Sequence, residues 1–153
     1  MPLIRTATAS DLDALCAIET QAFATDRLSR RSFRRLLAVS SAAVIVAEDG
    51  RRVAGDVVIL FRAATDIARL YSIAVARDRF GTGIGRLLLE AAEQAALAHG
   101  CGRMRLEVRE TNGRAARLYE AAGYRAFGRL ENYYADGSAA VRYERSLATP
   151  TGP

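Results

Sequence analysis

The sequence predicts an α/β fold: a mixed, mostly antiparallel central sheet with helices on both faces. Three observations carry that expectation. Hydrophobic periodicity along the chain reads β-α-α-β-β-β-α-β-α-β-β. The middle strands are joined by short turns, which makes antiparallel neighbours, whereas helices separate the later ones, as parallel strands require. With 153 residues, half of them hydrophobic, the chain has enough material for one sizeable core. We therefore expect one domain over 1–147 and a short frayed tail, 148–153.

The elements follow in order. Leu3 to Thr6 reads as a first strand. Ser10 ahead of Asp11 and Asp13 looks like an N-cap with an acidic first turn, and Leu12, Leu15 and Ile18 keep helical spacing over Asp11 to Ala22. Ser29 opens a second helix with Phe33, Leu36 and Leu37 on one face. Its other face carries Arg30, Arg31, Arg34 and Arg35, a solvated stripe or the approach of an acidic partner. Ala43–Ala47 and Val53–Arg62 form a hairpin around Asp49-Gly50. Ile67–Val75 is the next strand. A charged turn, Arg77-Asp78-Arg79, leads to glycines at every second position, Gly81, Gly83 and Gly85. A helix from about Gly83 to His99 stops at Gly100. Arg103–Arg109 alternates apolar and charged residues. Asn112 opens a helix ending at Ala121-Ala122, with Gly123 as a left-handed cap. Tyr124–Tyr134 and Ala139–Leu147 read as strands joined by Ala135–Ser138.

Composition narrows the chemistry. All 22 basic residues are arginine and the net charge is +5. Without lysine there is neither Schiff-base catalysis nor a G-x-x-x-x-G-K-[ST] phosphate loop. The basic balance suits an anionic cofactor or partner. No apolar run is long enough to span a membrane, and the first residues lack a signal-peptide layout, so a cytoplasmic location is expected. Cys16 and Cys101 form no metal pattern and read as thiols rather than a disulfide. His99, the single histidine, sits where a cation caps a helix C-terminus.

A strand, a glycine-spaced loop and a helix start make an anion site, with backbone N–H groups pointing out of the loop. Lacking lysine, the loop from Gly81 to Arg86 suits a diphosphate held mostly by main chain.

Two segments together resemble the GNAT superfamily of acyl-CoA-dependent N-acetyltransferases. One is V-x-x-x-x-x-G-x-G-x-G at Val75–Gly85; the other is N-x-x-A-x-x-L-Y-E-x-x-G-Y at Asn112–Tyr124. The resemblance covers almost the whole chain and is most similar to the bacterial acetyltransferases of ribosomal-protein N-termini. It implies acetyl-CoA as co-substrate and no metal. It places the backbone of Ile73, Ala74 and Val75 along the pantetheine arm. The amides of Gly81, Thr82, Gly83, Ile84, Gly85 and Arg86 go to the diphosphate, and Asn112 to the arm. Tyr119 becomes the proton donor to the departing thiolate and Glu107 the general base. Tyr133, Tyr134 and Phe23 line the groove for a peptide acceptor. Each position also has an ordinary structural reading: core strand, helix cap, packed tyrosine, hairpin flank, or a glutamate paired with Arg105 or Arg109.

One position departs from the family pattern. Phe80 stands where arginine or glutamine is usual, with Arg79 and Arg86 as neighbouring cations. The function this resemblance implies is transfer of acetyl to a primary amine, most readily a protein N-terminus such as that of a ribosomal protein. A small amine as acceptor, or a non-catalytic acyl-CoA-binding module, are the alternatives. No membrane and no direct nucleic-acid contact are expected, with the chain acting as monomer or homodimer.

Overall fold

The computed structural model describes residues 2–147, so the tail expected at 148–153 lies outside the described residues. In chain order the elements are β1 (Leu3–Thr6), α1 (Leu12–Ala22), α2 (Arg30–Ala38), β2 (Ala42–Asp49), β3 (Arg52–Leu60), β4 (Ile67–Val75), α3 (Ile84–Ala98), β5 (Arg103–Arg109), α4 (Gly113–Ala121), β6 (Arg125–Leu130) and β7 (Ala140–Ser146). The strands form one sheet in the order β1-β2-β3-β4-β5-β7-β6. Every neighbouring pair is antiparallel except β4 and β5, which are parallel and joined by the α3 crossover. The expected mixed sheet is therefore observed.

Helices cover the two faces unequally. On one face Leu15 of α1 and Phe33 of α2 pack against Val44, Val46 and Val58. On the other, Leu88, Leu89 and Ala92 of α3 pack against Val57, Ile59 and Leu106. Gly55 lets α3 come close: a Cβ there would lie 2.9 Å from the Ala74 carbonyl and 3.0 Å from Leu88. That contact seats the first turn of α3 on β3 and β4, where the glycine loop ends.

β4 is bent where the site forms. In the β3–β4 register Val58 faces Ser72 while Ile59 faces Leu70, leaving Tyr71 as an extra, bulged residue. A bulge sharpens local twist and turns the strand. β4 pairs with β5 only over Ile67–Arg69 and Arg103–Arg105, and beyond that point the two strands part.

Three expectations are corrected. α1 is not capped by Ser10; a 3-10 turn over Ala9–Asp11 precedes it, and Asp11 accepts from the Thr8 N–H at 2.8 Å. Asp11 is also gripped by Arg5, at 2.8 and 2.9 Å, and that favours the earlier start. β6 ends at Leu130, not Tyr134. Asn132 takes a left-handed φ of 50°, and the Tyr133 and Tyr134 amides both donate to Ser138 O, so this segment closes a loop instead of extending the ladder. Glu107 does not pair with Arg105 or Arg109, which go to Glu144 and Asp136. Same-face neighbours along a strand are about 7 Å apart. Arg142, directly across the ladder from Glu107, and Arg69 on β4 reach it instead.

Candidate active site

The parted strands leave an edge of β4 without a partner strand. Ala76 N donates to Ala54 O at 2.8 Å, which identifies that pair as hydrogen-bonded. Hydrogen-bonded and open pairs alternate along an antiparallel ladder. Asp56–Ala74 is therefore bonded, whereas Val57–Ile73 and Gly55–Val75 are open. Ile73 and Val75 aim their N–H and C=O groups into the gap; Ala74 spends its own on β3. A cleft of about 880 Å³ occupies the gap, lined among others by Ile73, Glu107, Asn112, Tyr119, Tyr133 and Phe23.

At one end of this edge lies the glycine loop. Gly81 and Gly83 have φ of 78° and 89°, values that favour glycine, and Gly83 is the N-cap of α3. The Thr82 hydroxyl donates to Arg79 O at 2.6 Å and closes the turn. The Ile84 side chain is buried in the core, so only its main chain faces outward. Both cations suggested by sequence are engaged: Arg79 with Asp49 at 2.6 Å and Arg86 with Glu90 at 3.2 Å. Phe80 is exposed, and the Arg114 guanidinium lies over its ring at 4.2 Å. Sequence reasoning missed Arg114; Phe80 itself was the signal, an exposed aromatic where a polar group was expected.

Tyr119 sits deeper, on the α3–α4 face of the sheet. Tyr124 meets its ring edge-on at 5.7 Å and Tyr143 lies 6.5 Å away. Those two neighbours are themselves fixed, Tyr124 OH to Glu93 at 2.8 Å and Tyr143 OH to Glu120 at 3.1 Å. The Tyr119 hydroxyl has no hydrogen-bond partner among the described residues. Burial pushes its pKa well above that of a free phenol, with Tyr134 adding to the rise. The group is therefore a protonated phenol at any working pH. Asn112 caps α4, its Oδ1 accepting from Ala115 N at 3.1 Å, while the same side chain lines the cleft.

Glu107 is on the opposite face, because β5 alternates and Leu106 and Val108 point into the α3–α4 core. The gap thus joins two faces, with Tyr119 on one side and Glu107 on the other. Glu107 Oε1 is 2.8 Å from Arg69 Nη2, and Oε2 is 3.4 Å from Arg142 Nε. Tyr133 OH donates to Oε1 at 3.4 Å and accepts from Arg69 at 2.6 Å.

Two loops close over this end. Arg109 donates to both Asp136 oxygens at 2.8 Å, reaches Thr25 Oγ1 at 3.3 Å, and lies 4.3 Å from the Tyr134 ring centre. Asp26, left-handed at φ 58°, accepts from Ala135 N at 3.2 Å. The α1–α2 loop carrying Phe23 is thereby stitched to the β6–β7 loop carrying Tyr133 and Tyr134. Burial pushes the Tyr134 hydroxyl up to about 12.

Behind the cleft, Asp56 is fully buried and neither of its oxygens has a partner among the described residues. Glu19 Oε1 and Ser72 Oγ share that condition, although Glu19 Oε2 accepts from Leu28 N at 2.7 Å. Sequence reasoning missed this group, since nothing local marks Asp56 as buried. A second concavity, of about 610 Å³, lies between α1 and the β2–β3 hairpin. Several of its charges are already tied to one another, Arg5 to Asp11 and Arg52 to Asp78. No helix among the described residues is long and apolar enough to cross a membrane.

A sheet opened beside a glycine loop and a helix N-terminus offers a free strand edge and an anion site side by side, the arrangement expected from the resemblance to acyl-CoA-dependent transferases. Accordingly, a model of the acetyltransferase (GNAT) family matches residues 11–124, and the chain belongs to that family: it is an acetyl-CoA-dependent N-acetyltransferase. No curated protein matches it in sequence. Among solved structures it is similar to the ribosomal-protein-S18-alanine N-acetyltransferase from Escherichia coli, with 27% identity, coverage of 99% of this chain and 97% of that one, and a TM-score of 0.86. It is similar to Ard1 from Thermoplasma volcanium, with 25% identity, 97% and 99% coverage, and a TM-score of 0.88. A putative acetyltransferase from Salmonella typhimurium with its cofactor acetyl-CoA shares the fold, at 20% identity, 100% and 98% coverage and a TM-score of 0.80.

Proposed function

We propose that the protein acetylates the N-terminal α-amine of a polypeptide by direct transfer from acetyl-CoA. The observation that carries this reading is the gap between β4 and β5, which joins a face bearing a glycine loop and Tyr119 to a face bearing Glu107 under two stitched loops. The 27% identity to the S18-alanine enzyme over 99% of the chain supports it from outside.

The residues suit the donor. The open main-chain groups of Ile73 and Val75 would hold the amide-containing arm, as a neighbouring strand would. The N–H groups from Gly81 to Arg86 would hold the diphosphate, with the helix dipole in their favour. Bound there, the donor supplies an activated acyl group as a thioester.

The chain's own groups do the rest. Main-chain N–H groups of β4 stabilise negative charge developing on the carbonyl oxygen. Glu107 receives the ammonium and takes its proton, directly or through one water. An α-amine titrates near ~7.7–8.0, far below a lysine near ~10.4, so a carboxylate base is less mismatched with it. Arg69, Arg142 and Tyr133 fix that carboxylate in place. Tyr119 points its hydroxyl proton at the departing thiolate sulfur. Its raised pKa makes full transfer uphill, so the hydroxyl acts by hydrogen bonding the sulfur as the bond breaks.

A panel of N-terminal peptides and free amines, incubated with acetyl-CoA and read by mass spectrometry, tests the acceptor. Acetylation at peptide α-amines, and little on free amino acids, polyamines or aminoglycosides, is the expected result; the reverse pattern makes this a small-amine enzyme.

Arg114 is the side chain placed to add positive charge beside the glycine loop. Arg114→Ala is expected to weaken acetyl-CoA binding about tenfold, as loss of one charge-assisted contact would, with kcat at saturation little changed. Titration calorimetry checks this, and an unchanged Kd removes Arg114 from the donor site.

A further inference from the structure

The sheet is covered unevenly, and the uncovered part borders the acceptor side of the cleft. α1 and α2 pack on β2, β3 and β4. Among the described residues, no helix lies over the same face of β5, β7 and β6. β5 presents Arg103 and Arg105 there, beside Glu107, and β7 presents Arg142 and Glu144 in register with them. β6 adds Phe127, 43% exposed, with Arg105 and Arg142 stacked against its ring at 5.0 and 4.8 Å.

The charges on this face do not balance. Arg69 and Arg142 share Glu107, and Arg103 and Arg105 share Glu144. Four guanidinium groups thus meet two carboxylates, and Arg125 stands opposite Glu144 on the edge strand. The excess positive charge forms a strip leading away from the residue that receives the amine.

We propose that this strip binds acidic residues of the acceptor polypeptide, a few positions beyond its N-terminus. The proposal rests on the polypeptide reading above and adds the chemistry of the acceptor. Same-face residues on a strand are about 7 Å apart, so Arg105 lies about 7 Å and Arg103 about 14 Å from Glu107. An extended peptide advances about 3.4 Å per residue. With the amine at Glu107, side chains of residues three to five fall over Arg105 and Arg103. Phe127 lies against the guanidiniums of Arg105 and Arg142, which limits their freedom and keeps their charge on this face. A strongly basic N-terminal segment would meet like charge there and be rejected.

The test uses the full-length enzyme and three peptides with identical first two residues, followed by four Glu, four Ser or four Arg. The Glu peptide is expected to show a KM about tenfold below the Ser peptide, and the Arg peptide one at least tenfold above it. kcat should be similar for all three, and the spread should collapse in 0.5 M salt, where the Debye length shrinks to a few ångströms. The R103Q/R105Q variant should abolish most of the preference and R103E/R105E should reverse it, with thermal unfolding recorded for both. Equal KM values across the peptides, or a preference that survives R103Q/R105Q in folded protein, overturn the proposal while leaving the polypeptide reading intact. If none of the peptides is acetylated, both fall. Should the variants instead lose binding to an RNA oligonucleotide while showing no peptide preference, the strip is a nucleic-acid surface and the proposal is wrong.

Discussion

Tyr119→Phe is expected to lower kcat about 100-fold while the Kd for acetyl-CoA stays within twofold. A positioned general acid contributes about 10²–10⁴ in rate. Tyr119 is the buried phenol lining the cleft, and its hydroxyl lacks a hydrogen-bond partner among the described residues, while its buried neighbours Tyr124 and Tyr143 are bound to Glu93 and Glu120. The ring packs between them, and phenylalanine keeps that packing. The loss should therefore fall on the chemical step and not on folding or donor binding. Because burial holds the hydroxyl protonated, the wild-type rate should show no decline from phenol ionisation up to pH 10. Steady-state kinetics with calorimetry checks both parts; a Phe variant of near wild-type kcat takes Tyr119 out of the reaction.

Asp56→Asn is expected to stabilise the protein, and more so at high pH. Burial raises the Asp56 carboxyl well above its ordinary range, and the nearby Glu19 adds to the shift. The sign follows from proton counting. Below about pH 4, the usual range of an exposed carboxyl, folded and unfolded chains both hold the proton and ionisation costs nothing. As pH rises further, the unfolded chain releases it and the folded chain does not, so stability falls until the folded pKa is passed. Asparagine has nearly the same shape and no such penalty. The Tm gain at pH 8 should exceed that at pH 5 by at least ~3 °C, roughly what 1 kcal/mol produces at this size. Thermal unfolding at the two pH values decides it; an equal change at both means that Asp56 is not held protonated by the fold.

Much of the architecture is legible in the sequence for local reasons. β1, β4 and β5 begin and end where periodicity places them, because alternation is strong and turns flank them. Gly123 is left-handed at φ 95°, and Ser29 and Asn112 cap their helices through side-chain bonds. Elsewhere, partners distant in sequence decide. Tyr133 and Tyr134 favour a strand by propensity, yet their amides are claimed by Ser138, and Arg109 and Asp26 draw the segment over the cleft. The ion partners of Glu107 come from β4 and β7, strands that its neighbours in sequence do not reveal. Phe80 marks a departure in the loop, but the guanidinium placed over it comes from α4. The buried state of Asp56 follows from α1 closing over β3, which no single stretch encodes.

The most direct measurement is a crystal structure with acetyl-CoA bound. The arm should lie along Ile73 and Val75 as an added strand, the diphosphate on the amides from Gly81 to Arg86, and the thioester sulfur within about 3.5 Å of the Tyr119 hydroxyl, hydrogen-bond reach for sulfur. A nucleotide seated in the concavity beside α1 and the β2–β3 hairpin, or a sulfur on the far side of the cleft from Tyr119, would contradict the account.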